Sequence, residues 1–169
     1  MSLSMYQASV PVIVRALENL SAVLKKAEEF ANSNDIPAEQ LTEAKLIDDM
    51  FPLVRQIQIA SDGAKGAGAR LAGVEIPSFA DTEKTFAEMQ ERIGKTIAFL
   101  KTIKPAQIDG SEDKKIVVQM KSGDLTFTGQ DYLLNFAIPN VFFHVTTAYG
   151  ILRHKGVPIG KKDYLGALA

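Results

Sequence analysis

The stretch TGQDYLLNFAIPNVFFHVTTAYGILRHKG, residues 128–156, decides the fold. Thr128 and Asp131 have the spacing of a capping box at its start. Gly156 stands where a helix commonly ends on a left-handed residue. At about 100° and 1.5 Å per residue, Val141, Val145, Ala148 and Leu152 share one stripe, which predicts a helix with an inward apolar face. Pro139 has no amide hydrogen and predicts a kink or a restart at that point. The same stretch holds both histidines of the chain, His144 and His154.

A helix of this kind needs partners, and three earlier segments supply them. In SVPVIVRALENLSAVLKKAEEFANSN, residues 9–34, Ile13, Leu17, Leu20, Leu24 and Ala27 recur at steps of four and three, an amphipathic helix. Ser9 reads as its N-cap with Pro11 in the first turn, and NSND closes it. DIPAEQLTEAKL, residues 35–46, reads as a short helical connector. Residues 50–73, MFPLVRQIQIASDGAKGAGARLAG, repeat the apolar pattern at Leu53, Ile57, Ala60, Ala64, Ala67 and Leu71. Each interior glycine costs up to about 1 kcal/mol relative to Ala, so close packing against a neighbouring backbone, or room for a ligand, must offset Gly63, Gly66 and Gly68. Neither GxxxxGK[ST] nor GxGxxG is present, so no phosphate loop is indicated.

IPSFADTEKTFAEMQERIGKTIAFLKTI, residues 76–103, carries Phe86, Met89, Ile93, Ile97 and Leu100 on one face, with Ser78 and Asp81, or Asp81 alone, as the expected cap. The period then changes. KKIVVQMKSGDLTFTG, residues 114–129, places Ile116, Val118 and Met120 on one side and Leu125 and Phe127 after the turn KSGD, which predicts a hairpin. The tail from Val157 onward is expected to be irregular and docked by its apolar residues. Four long helices with a hairpin between the third and the fourth predict a mainly all-α four-helix bundle, one domain over residues 4–169.

Helical geometry separates the histidines. His154 lies ten residues after His144, about 15 Å along the axis, whereas two ligands of one zinc each lie about 2 Å from it. His154 falls in the last turn, where a cation favours the helix dipole. His144 lies about 60° from the centre of the inward stripe, with Asn140 and Thr147 on its flank. One turn on, where a second histidine ligand would follow in an HxxxH pair, stands Ala148. From the second long helix, Gln58 and Asp62 are four apart and share a side. His144, Asn140, Thr147, Gln58 and Asp62 are therefore the candidate binding residues. A solvated face is the plain reading of the last two, and a weak divalent-metal site on His144 and Asp62 is the sharper one.

Lys and Arg number 19 against 20 Asp and Glu, for a net charge of −1, so no basic excess points to nucleic acid. The absence of cysteine excludes disulfides, thiolate ligands and cysteine nucleophiles and fits a reducing cytoplasm. No apolar run approaches the roughly 20 residues of a membrane-spanning helix. MSLSMYQASVP, residues 1–11, lacks the basic start and apolar core of a secretory signal.

MYQASVP, DMFPLVRQIQIASD, LAGVEIPSFADTEKTF and above all PNVFFHVTTAYGILRHKGVPIGKKDYLG resemble a bacterial family of unknown function within the DinB/YfiT-like superfamily of four-helix bundles. The resemblance runs from about Met5 to Gly166. It implies a protein of that fold, and a homodimer, as several relatives are. Relatives carry three metal-binding histidines, one on the second helix and two on the fourth, and include metal-dependent hydrolases and thiol-dependent transferases. Of that set, His144 matches the first fourth-helix position, Ala148 replaces the next, and the second helix offers only Gln58 or Asp62.

The expectation is thus a bundle that binds a small molecule or a protein partner with no cofactor. An altered site around His144 holding zinc or nickel, and serving a hydrolase or thiol transferase, is the alternative. A DNA-binding regulator, a label some related sequences carry, is disfavoured by the neutral charge.

Overall fold

The computed structural model describes residues 3–120 and 122–167. Helix α1 spans Met5–Ser33 and starts one turn earlier than Ser9 would place it. Ser4 is the N-cap: its hydroxyl accepts from the Gln7 amide, and the Gln7 side chain accepts from Ser4 N–H. Ser9 lies buried inside the helix and donates to the Met5 carbonyl at 2.7 Å, so Pro11 is internal rather than in the first turn. Asn34 closes α1, as expected.

A four-residue helix, α2 (Glu39–Thr42), leads into α3, Leu53–Ala72, which ends on Gly73 in the left-handed region at φ 72°. Asp48 and Asp49 lie in the exposed linker before it. Leu53, Ile57, Ala60, Ala64, Ala67 and Leu71 are all fully buried. Gly63 and Gly68 of α3 serve close packing against side chains of neighbouring helices, while Gly66 lies under the side chain of Arg70 on the same helix. A Cβ on Gly68 would stand 2.7 Å from Leu100 Cδ2 and 2.8 Å from Ile103 Cδ1, and one on Gly63 would stand 3.0 Å from Asn140 Nδ2.

Helix α4, Phe86–Thr102, is capped by Thr85 and Glu88 rather than by Ser78 and Asp81. The Thr85 hydroxyl accepts from Glu88 N–H, and Glu88 accepts from Thr85 N–H. Asp81 pairs instead with Arg55 and Arg92, which leaves residues 74–84 as an irregular connection. After the short α5 (Pro105–Ile108), strands β1 (Ile116–Val118) and β2 (Leu125–Phe127) form an antiparallel hairpin with Ile116 opposite Phe127 and Val118 opposite Leu125. Ile116 and Val118 are buried, but Met120 lies beyond β1 and is exposed. Lys121 of the expected turn falls outside the described residues.

The last long element is one continuous helical run with three parts: α6 (Gly129–Asp131), a π-helical turn (Tyr132–Ala137) and α7 (Ile138–His154). Thr128 caps it, its hydroxyl accepting from Asp131 N–H at 3.2 Å. The restart expected at Pro139 is the junction of the π turn with α7, where proline's missing donor removes one intrahelical bond. Gly156 ends the run at φ 84°.

The tail is docked by buried Val157 and Ile159, but it forms a short helix, α8 (Lys161–Leu165), instead of staying irregular. Asp163 holds it to α1 through Lys26 at 2.5 Å. Leu168 and Ala169, the end of the expected 4–169 domain, fall outside the described residues.

The chain is mainly helical. Helix α3 packs most extensively on α7, while α1 packs on α4 and α7, and α4 on α3. Among the described residues, no helix is long and apolar enough to cross a membrane.

Candidate functional site

The two flanks of α3 face different helices, and this division organises every candidate residue. Gln56 and Gly63 lie against α7, whereas Gln58, Ser61, Asp62 and Gly68 meet α4 and the connection before it.

On the α7 side, His144 is buried at 9% exposure and its Nδ1 lies 2.7 Å from Gln56 Oε1. Gln56 Nε2 donates to the Phe51 carbonyl at 3.0 Å. A carbonyl only accepts, so the amide nitrogen must face Phe51 and the amide oxygen must face His144. Nδ1 therefore carries the proton and donates, and Nε2 holds the lone pair. Burial pushes the imidazole below its ordinary value of 6.5, and the positive charge of Arg55 adds to the effect. His144 is thus a neutral imidazole at neutral pH, with Phe143 edge-on to its ring at 5.1 Å.

On the α4 side, Arg92 is 2% exposed and gathers three carboxylates. Its two terminal nitrogens meet Asp62 at 2.8 Å, Asp81 at 2.9 Å and Glu83 at 3.0 Å, and one also donates to the Ala80 carbonyl at 3.1 Å. Lys65 pairs with Asp62 at 2.9 Å and lies 4.4 Å over the Phe79 ring. Gln58 donates to Glu83 at 2.9 Å and accepts from Arg55 at 3.0 Å. Burial alone would raise the Glu83 carboxyl, but the bonds from Arg92 and Gln58 outweigh it and hold Glu83 below its ordinary range. Three cations (Arg55, Lys65, Arg92) face three carboxylates, so the cluster is self-neutralising and fastens the 74–84 connection to α3 and α4.

The five candidate residues therefore do not converge. His144 is met by Gln56, while Gln58 and Asp62 belong to the Arg92 cluster. Asn140 is half-buried against Gly63, and the Thr147 hydroxyl donates back to the Phe143 carbonyl at 2.7 Å. Gln56 and Arg92 are the residues that sequence reasoning missed. Zinc takes four ligands, usually three or four of them from protein. Here one imidazole nitrogen is available while the candidate carboxylate, Asp62, is bound by two cations. No group of three or more His, Cys, Asp or Glu able to hold a metal exists among the described residues, so the donor set does not fit zinc or nickel.

Two apolar concavities adjoin α7. A groove of about 520 Å³ runs along Leu46, Phe142, Phe143, Thr146, Thr147 and Gly150. Phe143 is 58% exposed there. A smaller cavity lies between α1, α7 and α8.

The sequence matches the family model described as "Domain of unknown function (DUF1993)" over residues 5–165. It is also similar to the crystal structure of a DinB family member protein from Shewanella denitrificans. That comparison has a TM-score of 0.89 at 40% identity and covers 96% of this chain and 92% of that chain. No curated protein matches.

Proposed function

The chain belongs to the domain of unknown function family DUF1993, and from that premise we propose a bacterial, cytoplasmic binding protein on a DinB-like bundle that works without metal by docking a second copy of itself. The observation that carries this reading is the exposed face of α7. Phe143, at 58% exposure, lies beside Leu46 at 39%, and Ile47 follows Leu46 in the chain at 62%. Contiguous apolar surface of this kind marks interaction sites more often than it marks bare surface. Two-fold homodimers are the commonest soluble assembly, and they require one patch that meets itself. A groove of Thr146, Thr147 and Gly150 flanked by phenylalanines offers both the ridge and the trough such a contact needs.

Against catalysis stand the two clusters already described. The His144 Nδ1–H is directed to an amide rather than to an orienting carboxylate, and Asp62 is held by Arg92 and Lys65.

Sedimentation velocity across a wide concentration range tests the reading. A dimer that becomes a monomer in Phe143→Glu supports it, and a monomeric wild type at all concentrations overturns it. Stoichiometric zinc or nickel in protein purified without a histidine tag, lost in His144→Ala, overturns the metal-free part.

A further inference from the structure

On the other side of α7 from His144, a cavity of about 200 Å³ opens between α1, α7 and α8. Val12, Ala16, Phe142, Val145 and Leu165 wall it, and Arg15 and Asn19 stand at its rim. We infer that this cavity binds a small free monocarboxylate with a short apolar tail, a site beyond the docking face proposed above.

Charge is the first reason. Arg15 donates through one terminal nitrogen to the carbonyls of Ala167 at 2.8 Å and Leu165 at 3.4 Å. Asn19 donates to the Tyr164 carbonyl at 3.1 Å. These acceptors are neutral, and among the described residues no carboxylate forms an ion pair with Arg15. Glu18, three positions after Arg15, is already matched by Lys101 at 2.8 Å, and Asp163 of α8 by Lys26 at 2.5 Å. A guanidinium whose acceptors are neutral carbonyls favours a carboxylate, which its fork of donors can grip.

Shape is the second reason. The walls are aliphatic and aromatic with few polar groups, the ordinary make-up of a small-molecule site. At roughly 30 Å³ for each water-sized group in a liquid, 200 Å³ takes six or seven heavy atoms. The five-carbon tail of a six-carbon acid fits within that, with its carboxylate at the rim beside Arg15.

Hexanoate is the probe, titrated into the intact protein and followed by calorimetry and by NMR shifts. Saturable binding is expected, with acetate and hexanol each at least tenfold weaker and hexylamine without effect. Val12→Trp fills the cavity from an exposed position, so the fold is retained, and is expected to weaken hexanoate at least tenfold. Arg15→Gln should do the same, with Arg15→Lys recovering part of the affinity. Phe143→Glu should leave hexanoate binding intact, which separates this site from the docking face. Non-saturable binding, equal binding of hexanol, or full affinity in Val12→Trp each overturns the assignment.

Discussion

His144 Nδ1 and Gln56 Oε1 lie 2.7 Å apart across the α3–α7 interface, and the Phe51 carbonyl 3.0 Å from Gln56 Nε2 fixes the direction of that bond. One backbone acceptor thereby sets the tautomer of a histidine 93 positions further along the chain, by the difference between 144 and 51.

Replacing Gln56 by Leu removes the acceptor and leaves a buried imidazole N–H unmet, a loss of about 1–3 kcal/mol. His144→Leu in the same background should return part of that loss, because the orphaned donor is gone. Urea denaturation of the two single variants and the double variant measures the coupling. Strict additivity would show that the two side chains do not act as a unit.

Acidification should weaken the fold through His144. Its folded pKa is lowered from 6.5, so between that lowered value and 6.5 the unfolded chain binds more protons, and stability rises with pH across the window. The contribution is complete above about 6.5 and is lost as pH falls to the folded value. The melting temperature, followed downward from neutral pH, should fall less steeply in His144→Gln than in the wild type. Parallel profiles would remove His144 as the cause.

Arg92→Met strands Glu83, which is 10% exposed, among neighbours arranged for a cation. Breaking a buried ion pair from one side costs about 3–5 kcal/mol. Because Asp62 and Asp81 are 42% and 38% exposed, water screens them, and the loss should sit toward the lower figure. Glu83→Gln retains a hydrogen-bond acceptor for Arg92 and should lose less. Limited proteolysis within residues 74–84 should accelerate in Arg92→Met, since that connection is what the cluster holds; an unchanged cleavage rate would argue against this role.

Two glycines inside long helices should respond with opposite signs. A Cβ at Gly94 meets nothing within 4 Å, so Gly94→Ala should stabilise α4 by about 0.5–1 kcal/mol through helix propensity. At Gly68 the same methyl would meet Leu100 and Ile103 at 2.7 and 2.8 Å. Overpacking of about 1–3 kcal/mol should cancel or exceed the propensity gain. Thermal melts of the two variants decide it, and stabilisation in both would mean that α3 and α4 separate easily at that point.

The four long helices were legible because each repeats one apolar stripe, and the stripe is what burial acts on. Helix starts were less legible. Ser9, Ser78 and Asp81 have the chemistry of caps, but whether a given group caps depends on what else claims it, and Asp81 is claimed by Arg55 and Arg92 from other elements. The burial of His144 followed from its angle on α7. Its partner did not, because Gln56 and Gln58 flank Ile57 symmetrically, and only the handedness of the bundle selects the flank that meets α7. Arg92 was hidden for a related reason: it lies on the shoulder of the α4 stripe, where a charged residue reads as solvent-facing until the carboxylates of another segment arrive over it.

The π-helical turn before Pro139 has a consequence for phase. Counting back from Val141 in steps of four, Ala137, Leu133 and Gly129 are each buried. An unbroken α-helix drifts about 40° over each such step and would bring Leu134 inward in place of Leu133. Leu134 is 48% exposed and Leu133 fully buried, so the wide turn works as a built-in insertion of one residue. It lets the stretch that stacks Tyr132 and Phe136, ring centroids 5.9 Å apart, share one core with a helix whose own numbering would have turned it away. Deleting a single residue from 134–137 should therefore let the turn close into an ordinary α-helix with Leu133 still inward, whereas adding one there should rotate everything upstream, the hairpin included.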